Sequence, residues 1–204
     1  RGLGDVYKRQ LFNSRHNLEA FVEAAGELLA RMPDAVPPGW VEAIRSRSEV
    51  LGLPVELPET EGELRDLATD DPERTKGPLL LWNHRWEHDK GPDEFFDVLA
   101  DLRARGVPFR LAVCGQRFRR QPDSFERGRE ALADRIEHWG FAADREAYVD
   151  LLRRAQVVLS TAQHEFFGVS VVEASHAGAF ALVPDRLAYP ERFPDEHRYC
   201  LLYT

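Results

Sequence analysis

Cysteines, long apolar runs and excess positive charge are all scarce in this chain, and each scarcity removes a class of protein. The 204 residues include 2 cysteines, Cys114 and Cys200, which lie far apart and in no metal-ligand spacing. Neither a disulfide framework nor a zinc site is indicated. No apolar stretch approaches the roughly 20 residues needed to span a bilayer, and no signal peptide is visible, so a cytoplasmic protein with no membrane partner is expected. The formal net charge of -8 argues against nonspecific nucleic-acid binding by the chain as a whole, because affinity for phosphates needs clustered cations. It leaves room for a local basic patch. What is present in quantity is core material: 43% hydrophobic residues with 4 Trp and 12 Phe, against 30% charged residues for the surface. The length fits one large domain, or one domain plus part of another.

Both ends read unlike a domain. The opening RGLGDVYKRQ (1–10) and the closing CLLYT (200–204) resemble translated sequencing-adaptor read-through, and both are set apart as tails, which would make the chain a fragment. Between them, LFNS (11–14) reads as a strand running into a helix, with Asn13 or Ser14 as cap. Leu18, Phe21, Val22, Ala25, Leu28 and Leu29 then recur at helical spacing and predict one core-facing stripe. A short helix over Trp40 to Ser46 and an extended VLGLPVEL complete a first unit, residues 11–53. From 54 to 77 the composition turns acidic and rich in turn residues, as an interdomain linker would.

Residues 78–199 are more regular. Strands LLLW, FRLAVCG, QVVLST and AFALVP alternate with helices DEFFDVLADLRARG, SFERGREALADR, REAYVDLLRRA and GVSVVEASHAG, with a segment IEHWG among them. Short apolar runs alternating with amphipathic helices imply right-handed crossovers and a parallel sheet, hence an α/β, Rossmann-like, doubly wound domain. Ligands of such sheets bind beyond the carboxyl ends of the strands, at the loops starting at Asn83, Gly115, Gly140, Thr161 and Pro184.

The polar residues in those loops suggest a chemistry. In HEFFGVSVVEASHAG, Glu165 and Glu173 stand eight positions apart around Gly168, which opens a helix whose N-terminus suits phosphate. A nucleotide-sugar fits this arrangement; a surface glutamate followed by an ordinary helix glutamate is the plainer alternative. In NHRWEHDKGP, Arg85 and Lys90 can converge where the next helix begins and neutralise a diphosphate leaving group, or they can be two solvated loop cations. His84 to His88 also spells H-x-x-E-H, the order of an inverted zinc-peptidase motif. That motif needs a helix, whereas here a strand enters it and Gly91-Pro92 breaks the chain just after it. No metal ligand is therefore assigned, and His84 and His88, with His164, are kept as loop hydrogen-bonders open to substrate contact.

R-x4-K after the first strand, then E-x7-E as EFFGVSVVE and A-x-x-x-G, resembles the C-terminal half of group 1 retaining glycosyltransferases of the GT-B fold. FNSRHN, WNHRWEHDKGP, HWGF, STAQHEFFGV and YPERFP are similar more narrowly to the tRNA-queuosine mannosyltransferase family, over about Leu11 to Tyr199. The resemblance implies GDP-mannose as donor substrate, no cofactor and no metal, the queuosine cyclopentene-diol of an aspartate tRNA as acceptor, and a retained α linkage. It implies that Arg85 and Lys90 hold the diphosphate, that Glu165 contacts the sugar and Glu173 the ribose, and that the amides of Phe167, Gly168 and Val169 meet phosphate. Most of the acceptor-side N-terminal domain is absent from the pattern, so this piece alone is expected to be inactive. A group 1 glycosyltransferase with another donor and acceptor stays open, as does a noncatalytic nucleotide- or RNA-binding module, supported by Arg117, Arg119, Arg120, Arg127 and Arg129, although Asp123 and Glu126 lie among those arginines. Oligomeric state is not legible.

Overall fold

The computed structural model describes residues 9–32, 36, 38–57 and 76–200. The expected tails lie largely outside the described residues, as does most of the acidic linker. The chain divides into two units at Pro54/Val55.

In the first unit, strand β1 (Gln10–Phe12) pairs in parallel with β2 (Ser48–Val50), and helices α1 (Arg15–Ala30) and α2 (Trp40–Arg45) lie between them in sequence. Ser14 caps α1: its hydroxyl accepts the Asn17 amide at 3.0 Å. Two expectations shift here. Gln10, counted with the tail, pairs with Ser48, so the strand begins one residue earlier than the sequence pattern indicated. The extended segment after α2 is strand only to Val50 and has no regular structure over 51–57. Of the stripe on α1, Leu18 and Val22 are buried whereas Phe21 and Leu28 are 44% and 62% exposed, leaving an apolar surface on this helix.

The second unit is a parallel sheet in the order β5-β4-β3-β6-β7-β8. Its strands are β3 (Leu79–Trp82), β4 (Arg110–Cys114), β5 (Ile136–Gly140), β6 (Val157–Leu159), β7 (Phe180–Pro184) and β8 (Arg198–Tyr199). Helices α3 (Pro92–Ala104), α4 (Ser124–Ala131), α5 (Arg145–Arg154) and α6 (Val169–His176) connect them. IEHWG is thus a strand, and β8 adds an edge that the sequence pattern does not show. Two residues are too few for a periodicity; β8 exists because Arg198 and Tyr199 pair with Val183 and Pro184.

Side-chain alternation divides the core between the two faces of the sheet. Leu79 and Leu81 of β3 pack with Leu151 and Leu152 of α5 and Val171 and Ala174 of α6. Leu80 and Trp82 pack on the opposite face with Phe95, Phe96 and Leu99 of α3 and Phe125 of α4. The second face is aromatic: Trp86 stacks on Phe125 at 4.2 Å between ring centroids, and Phe96 meets Phe125 edge-on at 5.5 Å.

This packing generates a prediction whose sign runs against helix propensity. Gly128 lies inside α4, where alanine ordinarily stabilises a helix by about 1 kcal/mol. A Cβ at this position would sit 2.4 Å from the Phe96 ring, which its aromatic neighbours hold in place. Gly128→Ala is therefore expected to destabilise the protein by about 1–3 kcal/mol, the cost of overpacking a filled core. Urea unfolding of the two proteins measures it, and a gain in stability would show that the α3/α4 contact yields.

Candidate functional site

The order of the strands reverses at β3: the chain moves from β3 to β4 and β5 on one side, then returns to place β6 on the other. Loops leaving the carboxyl ends of β3 and β6 meet at such a reversal and leave a crevice there. Here hydrogen bonds to the backbone join them. The Thr161 hydroxyl is shared between the carbonyls of Lys90 and Gly91, at 2.9 Å each. The amides of Gln163 and His164 donate to the Asp89 carbonyl at 2.8 and 3.2 Å. Gly91 permits this approach, because it has φ 62° and a Cβ there would lie 2.2 Å from the Thr161 oxygen.

That junction brings Lys90 to Glu165. Lys90 closes a one-turn 3-10 helix and is buried; its ammonium donates to the His164 carbonyl at 2.6 Å and to Glu165 Oε2 at 3.3 Å, with Asp89 Oδ2 also at 3.3 Å. The other oxygen, Glu165 Oε1, accepts the amides of Phe166, Phe167 and Gly168 at 3.1, 3.2 and 2.9 Å. Burial on its own would raise the Glu165 carboxyl, but the Lys90 charge and the Phe167 and Gly168 amides outweigh it and hold the group below its ordinary value. The Phe167 and Gly168 amides point at the carboxylate of Glu165, because the left-handed Gly168 (φ 85°) folds the loop back over the start of α6. Val169 is the first residue of that helix.

Beside this pair lies a cleft of about 490 Å³ whose lining includes Asn83, His84, Arg85, Gly115, Phe141 and Glu173. Its floor depends on Gly115, where a Cβ would lie 1.8 Å from the His84 carbonyl oxygen. Glu173 is held by Arg145 at 2.9 Å and by the Tyr148 hydroxyl at 3.0 Å. Asn83 in turn donates to Tyr148 at 3.2 Å and to the Ser170 carbonyl at 2.8 Å. Burial and the neighbouring Glu173 push the Tyr148 phenol well up, so it remains a donor to that carboxylate. His84 is 4% exposed. It bonds the Leu159 backbone, while its Nε2 is buried without a partner. Burial pulls its pKa down to about 4 against the opposing pull of Glu165, so the ring is neutral at pH 7.

The sequence-derived residues therefore fall into groups. Lys90 and Glu165 are in contact, and His84, whose charge equilibrium senses both, connects them to the cleft holding Arg85 and Glu173. Arg85 is exposed and pairs with Glu87 at 3.1 Å; no contact joins it to Lys90 among the described residues. His88 is exposed, and His164 contributes its carbonyl while its side chain is exposed. No group of three or more His, Cys, Asp or Glu is placed to hold a metal among the described residues. Sequence reasoning missed Asn83, Arg145 and Tyr148. The available signal was the three-residue spacing of Arg145 and Tyr148, which places both on one face of the first turn of α5.

The buried His84 makes a pH prediction. Between its unfolded value of 6.5 and its folded value of about 4, the unfolded chain binds the proton and the folded chain does not. Stability therefore falls as pH drops through that window, by about 3 kcal/mol in all, and this contribution levels off below it. Urea unfolding from pH 7 to 4 should show a shallower fall for His84→Gln. A variant curve as steep as that of the unaltered protein would mean that native His84 is solvated.

Comparison with known proteins agrees with this geometry. Residues 66–200 match the family described as glycosyl transferases group 1, and residues 6–55 match the tRNA-queuosine alpha-mannosyltransferase N-terminal family. The chain is 35% identical over 192 residues to a tRNA-queuosine alpha-mannosyltransferase of Drosophila melanogaster, covering 93% of this chain and 50% of the fly protein. It is 34% identical over 113 residues to a GDP-mannose-dependent alpha-(1-6)-phosphatidylinositol dimannoside mannosyltransferase of Mycobacterium tuberculosis, covering 55% of this chain and 29% of that one. The chain thus spans half or less of the length of these relatives. Among solved structures it superposes on WaaG, a glycosyltransferase involved in lipopolysaccharide biosynthesis, with TM-score 0.59 and 20% identity over 90% of this chain and 46% of that one. The pneumococcal O-GlcNAc transferase GtfA gives TM-score 0.56 and 16% identity over 95% and 33%. At those identities the likeness concerns the GT-B fold alone. With the family match extending over about two thirds of its length, this chain belongs to the group 1 glycosyltransferases.

Proposed function

We propose that the chain is the donor-binding part of a retaining mannosyltransferase that moves mannose from GDP-mannose to the queuosine of an aspartate tRNA anticodon loop. The identity to the fly enzyme and the match at residues 6–55 support the acceptor, and the mycobacterial relative's GDP-mannose dependence supports the donor. The structural observation that carries the reading is the seat made by Lys90 and the amides at the start of α6, which already holds a carboxylate. Donors arranged around one anion suit another, and a phosphate is the anion a nucleotide-sugar brings.

In this reading the donor diphosphate takes the place of the Glu165 carboxylate at the amides of Phe167 and Gly168 and adds the amide of Val169, and Glu165 turns to the sugar hydroxyls. Lys90 and Arg85 neutralise the charge that grows on the diphosphate as the glycosidic bond breaks, without a metal. Glu173, fixed by Arg145 and Tyr148, accepts the ribose hydroxyls. His84 and His164 border the path of the sugar. Most of the acceptor-binding surface falls to segments of the relatives that this chain does not span, and this reading puts the reaction in the cytoplasm with the tRNA.

Steady-state kinetics with varied GDP-mannose, in a chain carrying the full length of these relatives, separates the roles. Lys90→Ala is expected to lower kcat by about 100-fold or more, the loss seen when one preorganised charge-stabilising group is removed. Glu173→Ala should chiefly raise the apparent KM, because a ribose contact is made equally in ground and transition states. An unchanged kcat with a raised KM for Lys90→Ala would reduce Lys90 to an anchor.

A further inference from the structure

The loop that follows β4 presents a surface the donor does not need. Residues 116–120, Gln-Arg-Phe-Arg-Arg, are all exposed and place three arginines in a chain whose net charge is -8. Arg117 is fixed: its guanidinium lies 4.5 Å from the Trp86 ring centroid, donates to the Trp139 carbonyl at 3.4 Å and covers Gly140. Arg119 and Arg120 make no ion pair among the described residues. Of the acids close in sequence, Glu126 accepts Gln121 at 3.3 Å and Asp123 stands exposed at the start of α4.

Two phenylalanines accompany these cations. Phe118 is 36% exposed and Phe141, directly after Gly140, is 73% exposed, unusual for a side chain that gains so much from burial. Guanidinium groups alternating with exposed flat rings suit a ligand that offers phosphates and unpaired bases together. A duplex keeps its base faces stacked inside, and an acidic peptide has no flat faces to offer. Gln116 and Phe141 also line the donor cleft, so a nucleotide stacked on Phe141 stands at its mouth.

We propose that residues 116–120 and Phe141 form a docking surface for a single-stranded RNA loop, with Phe141 stacking a base at the mouth of the donor cleft and Arg119 and Arg120 meeting the phosphates. The inference rests on the proposed function for its substrate class, and names the part of this chain that touches that substrate.

The test measures binding of a tRNA anticodon stem-loop to the chain by fluorescence anisotropy across a salt series, with GDP-mannose binding followed separately by calorimetry. Arg119→Glu combined with Arg120→Glu should weaken RNA binding at least tenfold and reduce the log-log salt slope by about 1.4, two single-strand phosphate contacts. Phe141→Ala should weaken it about tenfold with the slope unchanged, the signature of lost stacking. GDP-mannose affinity should be unaltered in the arginine variant. Unchanged RNA affinity and slope in that variant would overturn the proposal, as would an equal loss for a base-paired RNA duplex or for anionic vesicles, which would make the loop a general polyanion patch. Weakened GDP-mannose binding in the arginine variant would also overturn it, by assigning the loop to the donor. Failure of the unaltered chain to bind GDP-mannose, with the RNA effects intact, would refute the proposed donor and leave the RNA surface standing.

Discussion

The meeting of the β3 and β6 loops is the constraint from which the site follows. Thr161 is 71 residues beyond Lys90 in the chain, yet its hydroxyl lies between the carbonyls of Lys90 and Gly91. Nothing local holds these segments together; the parallel pairing of Leu80 with Val157 and Leu81 with Val158 brings the strand ends side by side. The absent side chain at Gly91 then lets the backbones close to hydrogen-bonding distance. The Lys90, Gly91 and Thr161 part of this junction is buried, so displacing it would leave backbone groups there without partners. Lys90 and Glu165 are thereby brought within 3.3 Å of each other by the backbone that carries them, before any ligand arrives.

The two faces of the sheet contribute differently to that rigidity. On the α3/α4 face large rings dominate, and Trp82, Trp86, Phe95 and Phe125 are in mutual contact behind the loop carrying His84 and Arg85. Trp86 belongs to that loop and is fully buried, so the segment is anchored from beneath by an aromatic side chain as well as from its far end by Gly91. The α5/α6 face is built of smaller aliphatic side chains, and its polar exceptions, Asn83, Tyr148 and Glu173, connect the end of β3 to both helices. The aromatic face anchors the loop that carries Arg85, and the other face fixes the carboxylate of Glu173.

The sheet was legible because β3 alone shows both faces: Leu79 and Leu81 point one way, Leu80 and Trp82 the other, and all four are apolar as a doubly covered strand requires. Ser14 as a cap, Pro92 at the start of α3 and the strand-helix alternation were equally local signals. At the candidate site, the spacing of Glu165 and Glu173 could be read, but what each carboxylate touches could not. Tyr148 reaches Glu173 from 25 residues away and is itself bonded by Asn83 at the end of β3, contacts that exist only once α5 and α6 have docked. β8 escaped for the same reason: two residues become a strand only through their partner. The sequence also could not show that the amides before α6 would be satisfied by the chain's own Glu165.

That self-satisfaction distinguishes the two cations once the proposed donor is considered. Lys90 is buried and Glu165 partly buried, with Asp89 nearby, and removing one partner from such a pair leaves a poorly solvated charge, at a cost that approaches about 3–5 kcal/mol only where burial is complete. Arg85 pairs with Glu87 at the exposed rim, where an ion pair contributes only about 0–1 kcal/mol. An arriving diphosphate can thus recruit Arg85 at little cost, whereas Lys90 is released from Glu165 only by an anion that replaces the carboxylate in kind. A neutral sugar lacking the diphosphate cannot make that exchange, and neither can a cation. In the proposed function the Lys90–Glu165 pair selects for charge, and His84 beside it, neutral at pH 7, adds no positive charge of its own.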